Sequence, residues 1–220
     1  MISKKNAQLV VLAGVVMFVA TVAVLLARQL ALVPSRPAPD FRTFGPPGAV
    51  VKIEAYSDYA CGACRAADGK LEEMLKVYPG GIRLTLKHYP LTNIHAWSLD
   101  AAAYADCAGE QGKFREYAAR LFEGQEKWGR AKVRPAEFEA YARELKLDWA
   151  QIQSCAASTQ TRQRIKLETA EADLKGVNAT PTFFINGKRA VGPGQLLERI
   201  RKLDKLLVNS SKPSGEGAGK

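Results

Sequence analysis

The sequence predicts an α/β fold that carries an inserted α-helical domain. Two observations predict it. A β-branched segment, a helical segment and an alternating segment follow one another within residues 50–89, whereas residues from about 94 to 175 show helical periodicity throughout. A hairpin signal and a last amphipathic segment then occupy residues 179–207. A strand, helix and strand separated by helices from a second strand pair are typical of one sheet interrupted by an insertion.

The first half of this pattern contains three elements. VVKIEAY at 50–56 is β-branched and aromatic, which predicts a buried strand. Residues 65–77 place apolar side chains at helical spacing, and Pro-Gly-Gly at 79–81 ends the predicted helix. IRLTLKHY at 82–89 alternates apolar and polar residues and predicts a second strand.

The second half begins with the helical insertion, whose amphipathic pieces are broken by Gly, Pro or Asp. ATPTFFINGKRAVG at 179–192 predicts two short strands joined by an Asn-Gly hairpin turn. PGQLLERIRKLDKLL at 193–207 predicts a closing helix with Pro at its start. The polar, Gly-rich tail at 209–220 is predicted to be disordered.

The N-terminal region predicts a membrane anchor. Residues 9–27 form an apolar run of 19 residues without charge or proline, close to the roughly 20 residues that a membrane-spanning helix needs. The alternative is a cleaved signal peptide, whose apolar region usually spans only about 7–15 residues. Lys4 and Lys5 precede the run, so the positive-inside rule places the N-terminus in the cytoplasm.

This interpretation divides the chain into a cytoplasmic stub with a transmembrane anchor at 1–33, a Pro-rich linker at 34–49, and one domain at 50–208. We expect a single-pass protein of the inner or plasma membrane whose domain is periplasmic or extracytoplasmic. Both alternatives for the N-terminus export the four cysteines to a compartment in which disulfides persist.

The basic composition does not by itself indicate nucleic-acid binding. Thirty-two Lys and Arg against 22 Asp and Glu give a net charge of +10. The sequence contains no basic run with interleaved aromatic residues, which is the usual mark of a nucleic-acid surface. We therefore interpret the charge as a solvated basic surface.

Cys61-Gly62-Ala63-Cys64 is the motif that carries chemistry. On the first turn of a helix the leading sulfur lies near unpaired N–H groups and the positive end of the helix dipole, which favours the reactive thiolate of Cys61. Cys64 is then one turn away and able to resolve a mixed disulfide. The alternatives are a zinc site, which needs two further ligands, and a structural disulfide, which would enclose too short a loop to stabilise much.

Four segments occur in order: YSDYACGAC, LKHYPL, AAYADCAGEQGKFREYAARLF and GVNATPTFFINGK. Together they resemble the DsbA-type thiol:disulfide oxidoreductases of the thioredoxin superfamily, in particular the membrane-anchored branch, from about residue 50 to 207. The resemblance implies a thioredoxin-like fold. It also implies that Pro181 is a cis-proline facing the CxxC, and that Thr180 contacts both the cysteines and an extended substrate.

The sequence departs from this family in two places. The best-known oxidase has a histidine within its CxxC, where this chain has Gly-Ala. The superfamily also tends to bury an acid six positions before the first cysteine, and here that residue is Ala55. Strand alternation points the neighbouring Glu54 to the opposite face. Asp58 is the alternative local carboxylate, or a cap of the loop, and His95 is interpreted as a polar or packing residue at the start of the insertion.

Cys107 and Cys155 both lie in the helical insertion. Buried free cysteines are common, but an even count in an oxidising compartment, together with the resemblance, favours a structural disulfide between them. A regulatory role is the alternative.

We therefore expect an enzyme that oxidises exported proteins through a mixed disulfide at Cys61. It needs no cofactor, because the Cys61–Cys64 disulfide carries the electrons. The expected partners are exported protein thiols and a membrane protein of the DsbB or vitamin-K-epoxide-reductase kind that reoxidises the pair. The alternatives are a reductase supplied by an electron-transporting membrane protein, for instance in cytochrome maturation, and a non-catalytic binding module.

Overall fold

The computed structural model describes the backbone of residues 4–31 and 37–210, and the side chains of residues 12–25 and 37–208. The chain divides into two units, Met1–Arg36 and Pro37–Lys220. The described residues of the first unit form one helix, α1 (Lys4–Ala31). Within the described residues, no helix combines the length and apolarity that crossing a membrane requires. Both ends of the predicted anchor at 9–27 lie outside the described side chains, as do residues 211–220 of the predicted tail.

The described part of the second unit is built on one mixed sheet of five strands. They are β1 (Thr43–Phe44), β2 (Val51–Ser57), β3 (Ile82–His88), β4 (Thr182–Ile185) and β5 (Lys188–Val191). Their order across the sheet is β1-β3-β2-β4-β5. β2 and β3 are parallel, whereas the other neighbouring pairs are antiparallel. Asn186 and Gly187 both have positive φ in the β4–β5 turn, as the predicted Asn-Gly hairpin requires.

Eight helices are described in this unit. They are α2 (Gly62–Val77), α3 (Ser98–Glu110), α4 (Phe114–Glu123), α5 (Gln125–Trp128), α6 (Glu137–Glu144), α7 (Trp149–Ala157), α8 (Thr159–Leu174) and α9 (Gly192–Ser210). α2 and α9 pack against each other, and α9 also packs on β4 and β5. α3 contacts α4, α7 and α8, so it lies at the centre of the insertion. The predicted α/β fold with a helical insertion is thus observed.

The stretch predicted as a linker contributes to the domain, which corrects that prediction for residues 37–49. A 3-10 turn at Asp40–Arg42 leads into β1, which pairs with β3. Arg42 is 0% exposed, and the ring of Phe41 packs against that of Phe114. The prolines suggested an extended spacer, but Arg42 is buried and Phe41 is half-buried, because the folded domain supplies charged partners for Arg42 and an aromatic ring for Phe41.

These partners form a buried charge cluster between the sheet and the insertion. Arg42 donates through both terminal nitrogens to Glu168 of α8 at 2.7 and 2.8 Å. Its Nε lies 3.1 Å from Asp106 of α3, whose carboxylate also pairs with His88 Nε2 at 2.9 Å and with Arg164 at 3.2 Å. Buried charges are tolerated when they are paired in this way. The cluster therefore fixes β3 against α3 and α8.

Candidate active site

Cys61 and Cys64 lie where β2 leads into α2. Cys61 is the extended residue before the first helical residue, and its carbonyl accepts hydrogen bonds from the N–H groups of Cys64 (3.0 Å) and Arg65 (3.2 Å). Both cysteines are free thiols; Cys61 is half-buried, whereas Cys64 is 1% exposed. The leading sulfur is therefore open to approach, and the second is covered.

The surroundings separate the pKa values of the two thiols. A hydrogen bond from the Cys64 thiol lowers the pKa of Cys61 to about 5, helped by Thr180 and by the backbone N–H groups of the first helical turn, and opposed by burial. Burial raises the pKa of Cys64 well above its ordinary value, and the hydrogen bond and charge of Cys61 raise it further. The thiolate is the species that attacks disulfides, so this arrangement favours Cys61 over Cys64 as the attacking sulfur.

Thr180 and Pro181 face these cysteines. The peptide bond between them is cis, and the Cys61 thiol donates to the Thr180 carbonyl oxygen at 3.4 Å. Among the described residues, the buried Thr180 hydroxyl has no hydrogen-bond partner, so its proton is available to a Cys61 thiolate. Pro181 and Cys64 line one cavity. The structure thus brings together the four residues predicted for the site, although 119 positions separate Cys61 from Thr180.

Asp58 holds the loop that precedes the CxxC. Its buried carboxylate accepts hydrogen bonds from the N–H groups of Ala60 and Leu91, each at 2.8 Å, and lies 2.8 Å from Nδ1 of His95. Its own N–H donates to Cys64 Sγ at 3.4 Å. Asp58 therefore joins the loop and the start of the insertion through its carboxylate, and the covered sulfur through its N–H. The carboxylate of Asp58 caps the loop, which is one of the two roles considered for it, whereas the sequence alone did not indicate that His95 pairs with it.

Ala55 and Glu54 lie on opposite faces of β2, as strand alternation predicted. β2 keeps a continuous register with β3 and β4 through both residues. Ala55 lines the same cavity as Cys64. The Glu54 carboxylate instead lies 3.0 Å from Nζ of Lys175, at the end of α8. Glu54 therefore does not take the place of the acid that the family buries beneath its cysteines.

Cys107 and Cys155 form a disulfide that joins α3 to α7. Within the described part of the chain, no three His, Cys, Asp or Glu residues are grouped so that they could hold a metal ion. The zinc alternative for Cys61 and Cys64 therefore finds no further ligands there.

Two residues near the CxxC were missed by the sequence analysis. Gln125 of α5 is buried and donates to the Tyr59 carbonyl oxygen at 2.6 Å, which ties the active-site loop to the insertion. Asp68 lines the cavity beside Cys64, four residues further along α2. Its spacing from Cys64 was visible in the sequence, because residues four apart share a helix face. Gln125 and Tyr59 are 66 positions apart and meet only in the folded chain, so no local sequence pattern predicts their hydrogen bond.

A family model described as Thioredoxin matches residues 38–203, about three quarters of the chain. Curated relatives include a protein named Na(+)/H(+) antiporter NhaA 3 from Salinispora tropica, which is 36% identical over 149 residues, covering 68% of this chain and 22% of the relative. A protein named Na(+)/H(+) antiporter NhaA 1 from a Mycobacterium species is 31% identical over 164 residues, which cover 73% of this chain and 26% of the relative. The chain thus spans about a quarter of the length of these relatives.

Solved structures of similar fold include α-DsbA1 from Wolbachia pipientis, with a TM-score of 0.69 and 20% identity over 82% of this chain and 96% of that one. DsbA2 from Pseudomonas aeruginosa has a TM-score of 0.63 and 24% identity, over 78% of this chain and 98% of that one. Oxidised BdbD from Bacillus subtilis has a TM-score of 0.67 and 17% identity, over 80% of this chain and 98% of that one. The resemblance inferred from the sequence motifs is confirmed at the level of the fold. The chain therefore belongs to the thioredoxin family and has the fold of the DsbA-type thiol-disulfide oxidoreductases.

Proposed function

We propose that this thioredoxin-family protein introduces disulfide bonds into exported proteins. One observation carries the proposal. Cys61 is accessible and has a pKa lowered to about 5, beside a covered Cys64 and opposite Thr180. Stabilising the thiolate stabilises the reduced form of the pair, and a stabilised reduced form makes a strong oxidant.

In the proposed reaction a substrate thiolate attacks Cys61 Sγ of the Cys61–Cys64 disulfide. A bond forms between the substrate sulfur and Cys61, the bond between the two cysteines breaks, and Cys64 leaves with the electron pair. A second substrate thiolate then attacks the first substrate sulfur and displaces the Cys61 thiolate. The substrate gains a disulfide and the enzyme holds two reduced cysteines. The low pKa of Cys61 makes it a good leaving group in this second step.

The substrate is proposed to bind as an extended strand against the backbone of Thr180. Peptides commonly pair with an exposed backbone edge in this way. The closeness of the Thr180 carbonyl to Cys61 Sγ supports this geometry, because a strand bound there would run directly past the reactive sulfur.

The proposed location is the outer face of the inner or plasma membrane, with residues 9–27 as the anchor and the N-terminus in the cytoplasm. Antiporters are membrane proteins, so the names of the curated relatives support a domain that works at a membrane. The proposed recycling partner is a quinone-linked membrane protein of the DsbB or vitamin-K-epoxide-reductase kind. An anchor would keep the two together and raise their effective concentration.

The alternatives are an extracytoplasmic reductase, which would run the same exchange in the opposite direction, and a non-catalytic binding module. The absence of a histidine between the two cysteines favours the reductase. The intact Cys61–Cys64 pair argues against the binding module.

The deciding experiment is equilibration of the detergent-solubilised full chain with glutathione redox buffers. We expect a potential well above the about −270 mV of thioredoxin. A potential near that value would instead indicate a reductase, and failure of the Cys61–Cys64 pair to cycle between disulfide and dithiol would leave the binding module.

A second experiment is done in cells. The variant Cys64→Ser should trap exported proteins as mixed disulfides through Cys61, and the matched variant Cys61→Ser should trap none.

A further inference from the structure

A small cavity lies beneath the covered cysteine. Its volume is about 20 Å³, and its wall includes Cys64, Ala55, Asp68 and Pro181. A cavity of roughly 10–15 Å³ or more holds one water molecule when polar groups line it. The small side chain of Ala55 leaves this space open where a larger residue would fill it.

Asp68 is the carboxylate that this cavity brings near Cys64. The two residues are four apart on α2, and such pairs lie on one face of a helix about 5–6 Å apart at Cβ. The Asp68 side chain is 19% exposed and has Nη1 of Arg115 at 3.6 Å. Burial raises the pKa of Asp68 to about 6, against the opposing effect of Arg115 and with a smaller raising effect from Glu72.

Cys64 needs a base of this kind. Burial holds its pKa high, so its thiol stays protonated near neutral pH, yet only a thiolate attacks a disulfide. Both oxygens of the Asp58 carboxylate contact other groups, and Asp58 contacts Cys64 through its N–H.

We propose that Asp68 accepts the proton of Cys64 through a water molecule in this cavity when Cys64 resolves a mixed disulfide at Cys61. The inference rests on the proposed function, because it assigns a residue to one of its steps. It applies whichever direction the exchange takes, since the forward and reverse reactions share this step.

Cys61 is bonded to a substrate sulfur, Cys64 gives its proton to the water, and the water gives a proton to the Asp68 carboxylate. Cys64 Sγ attacks Cys61 Sγ, the bond between the two cysteines forms, and the bond from Cys61 to the substrate breaks. The substrate sulfur takes the electron pair and leaves as a thiolate. Cys64 is oxidised, the substrate sulfur is reduced, and in reverse Asp68 returns the proton.

Other titratable groups face the same space. Lys87 and His88 of β3 line the cavity, but their polar ends pair with Glu171 at 3.2 Å and with Asp106 at 2.9 Å. Tyr59 also lines it, and burial raises the pKa of this phenol, so it does not take up a proton. Of these groups, Asp68 combines the position on the face of Cys64 with a pKa near neutrality.

The test uses dithiodipyridine on the full chain with Cys61 and Cys64 reduced and the second disulfide intact. Cys61 releases the first thiopyridone, and attack by Cys64 on the resulting mixed disulfide releases the second, so two phases separate the two steps. In the wild type, the second phase should accelerate with pH through a midpoint of about 6. In Asp68→Asn that midpoint should disappear, with the phase slowed about 100-fold at neutral pH and the first phase unchanged.

Two controls make the result specific. Asp68→Glu should restore the titration. Glu72→Gln should keep the titration with a slightly lower midpoint, because Glu72 raises the pKa of Asp68 a little but does not line the cavity. An unaltered second-phase profile in Asp68→Asn would overturn the inference, as would equal slowing of both phases. If the wild type showed no second phase, the proposed function itself would fail, which is a distinguishable outcome.

Discussion

The reactivity of Cys61 depends on contacts that do not include a side chain between the two cysteines. Gly62 and Ala63 have no side-chain donor, so the thiolate is stabilised by Cys64, by Thr180 and by the N–H groups of the helix start. Hydrogen bonds to a charged form lower its free energy and hence the pKa. The Thr180 hydroxyl, which donates to no other described group, is the stabilising donor most open to test.

We predict that alkylation of Cys61 by iodoacetamide titrates with a midpoint of about 5. Thr180→Val should raise this midpoint by about one pH unit, the size expected for one charge-assisted hydrogen bond. Because the folded pKa lies below the unfolded one, Cys61 stabilises the reduced protein fully at pH values above its ordinary pKa near 9, and this contribution is lost as the pH falls through about 5.

The matched control is Thr182→Val, because the hydroxyl of Thr182 donates to the Ala179 carbonyl and not to a cysteine. This variant should leave the midpoint in place. A midpoint near that of a free thiol in the wild type, or equal shifts in both variants, would contradict the assignment.

The disulfide between Cys107 and Cys155 closes a loop that includes the three helices α4, α5 and α6. These helices are short, and α5 spans only Gln125–Trp128. Short helices gain most of their stability from packing. The covalent link therefore holds α3 beside α7 while the shorter helices pack around them.

We predict that replacing both cysteines of this bond with alanine lowers the free energy of unfolding by about 4 kcal/mol. The bond closes a loop of 48 positions and so reduces the conformational entropy of the unfolded chain, and the variant loses this restriction. Urea unfolding of the variant and of the wild type with this disulfide intact measures the difference. The reactivity of Cys61 should not change, and a changed alkylation rate would show that the bond also acts on the redox site.

Helices and strands with a clear hydrophobic periodicity were predictable from the sequence, and the hairpin was predictable from Asn186-Gly187. Strand β1 was not predictable, because it is only two residues long, too short to show a periodicity, and lies in a Pro-rich segment. The cysteines were identified from local spacing and Thr180-Pro181 from the resemblance. The partners of Asp58 and Asp68 were not, since His95 and Arg115 lie 37 and 47 positions away and charged side chains at such distances carry no pairing signal.

The buried charge cluster connects three parts of the chain that are distant in sequence. Arg42 precedes the sheet, Asp106 lies in α3 and Glu168 lies in α8. Burial alone would raise the pKa of Asp106, but His88 and Arg42 outweigh it and lower the pKa. The cluster is therefore charged in the folded state, and each member depends on the others.

We predict that Asp106→Asn lowers the free energy of unfolding at neutral pH by about 3–5 kcal/mol, because it leaves Arg42 without one of its carboxylates in a dry environment. In the wild type, the stability due to Asp106 is present at pH values above its unfolded pKa of about 4 and is lost as the pH falls further. Urea unfolding as a function of pH measures both effects. The surface variant Glu73→Gln serves as control, and equal losses in the two variants would refute the prediction.

The same cluster restricts how such a domain can be recombined. A chimera that transplanted residues 94–175 onto the sheet of another thioredoxin-family protein would bring Asp106 and Glu168 but not Arg42. Two carboxylates would then be buried together without their shared cation. The insertion is therefore not an independent module, and an exchange that preserves folding must carry the short segment before the first long strand along with it.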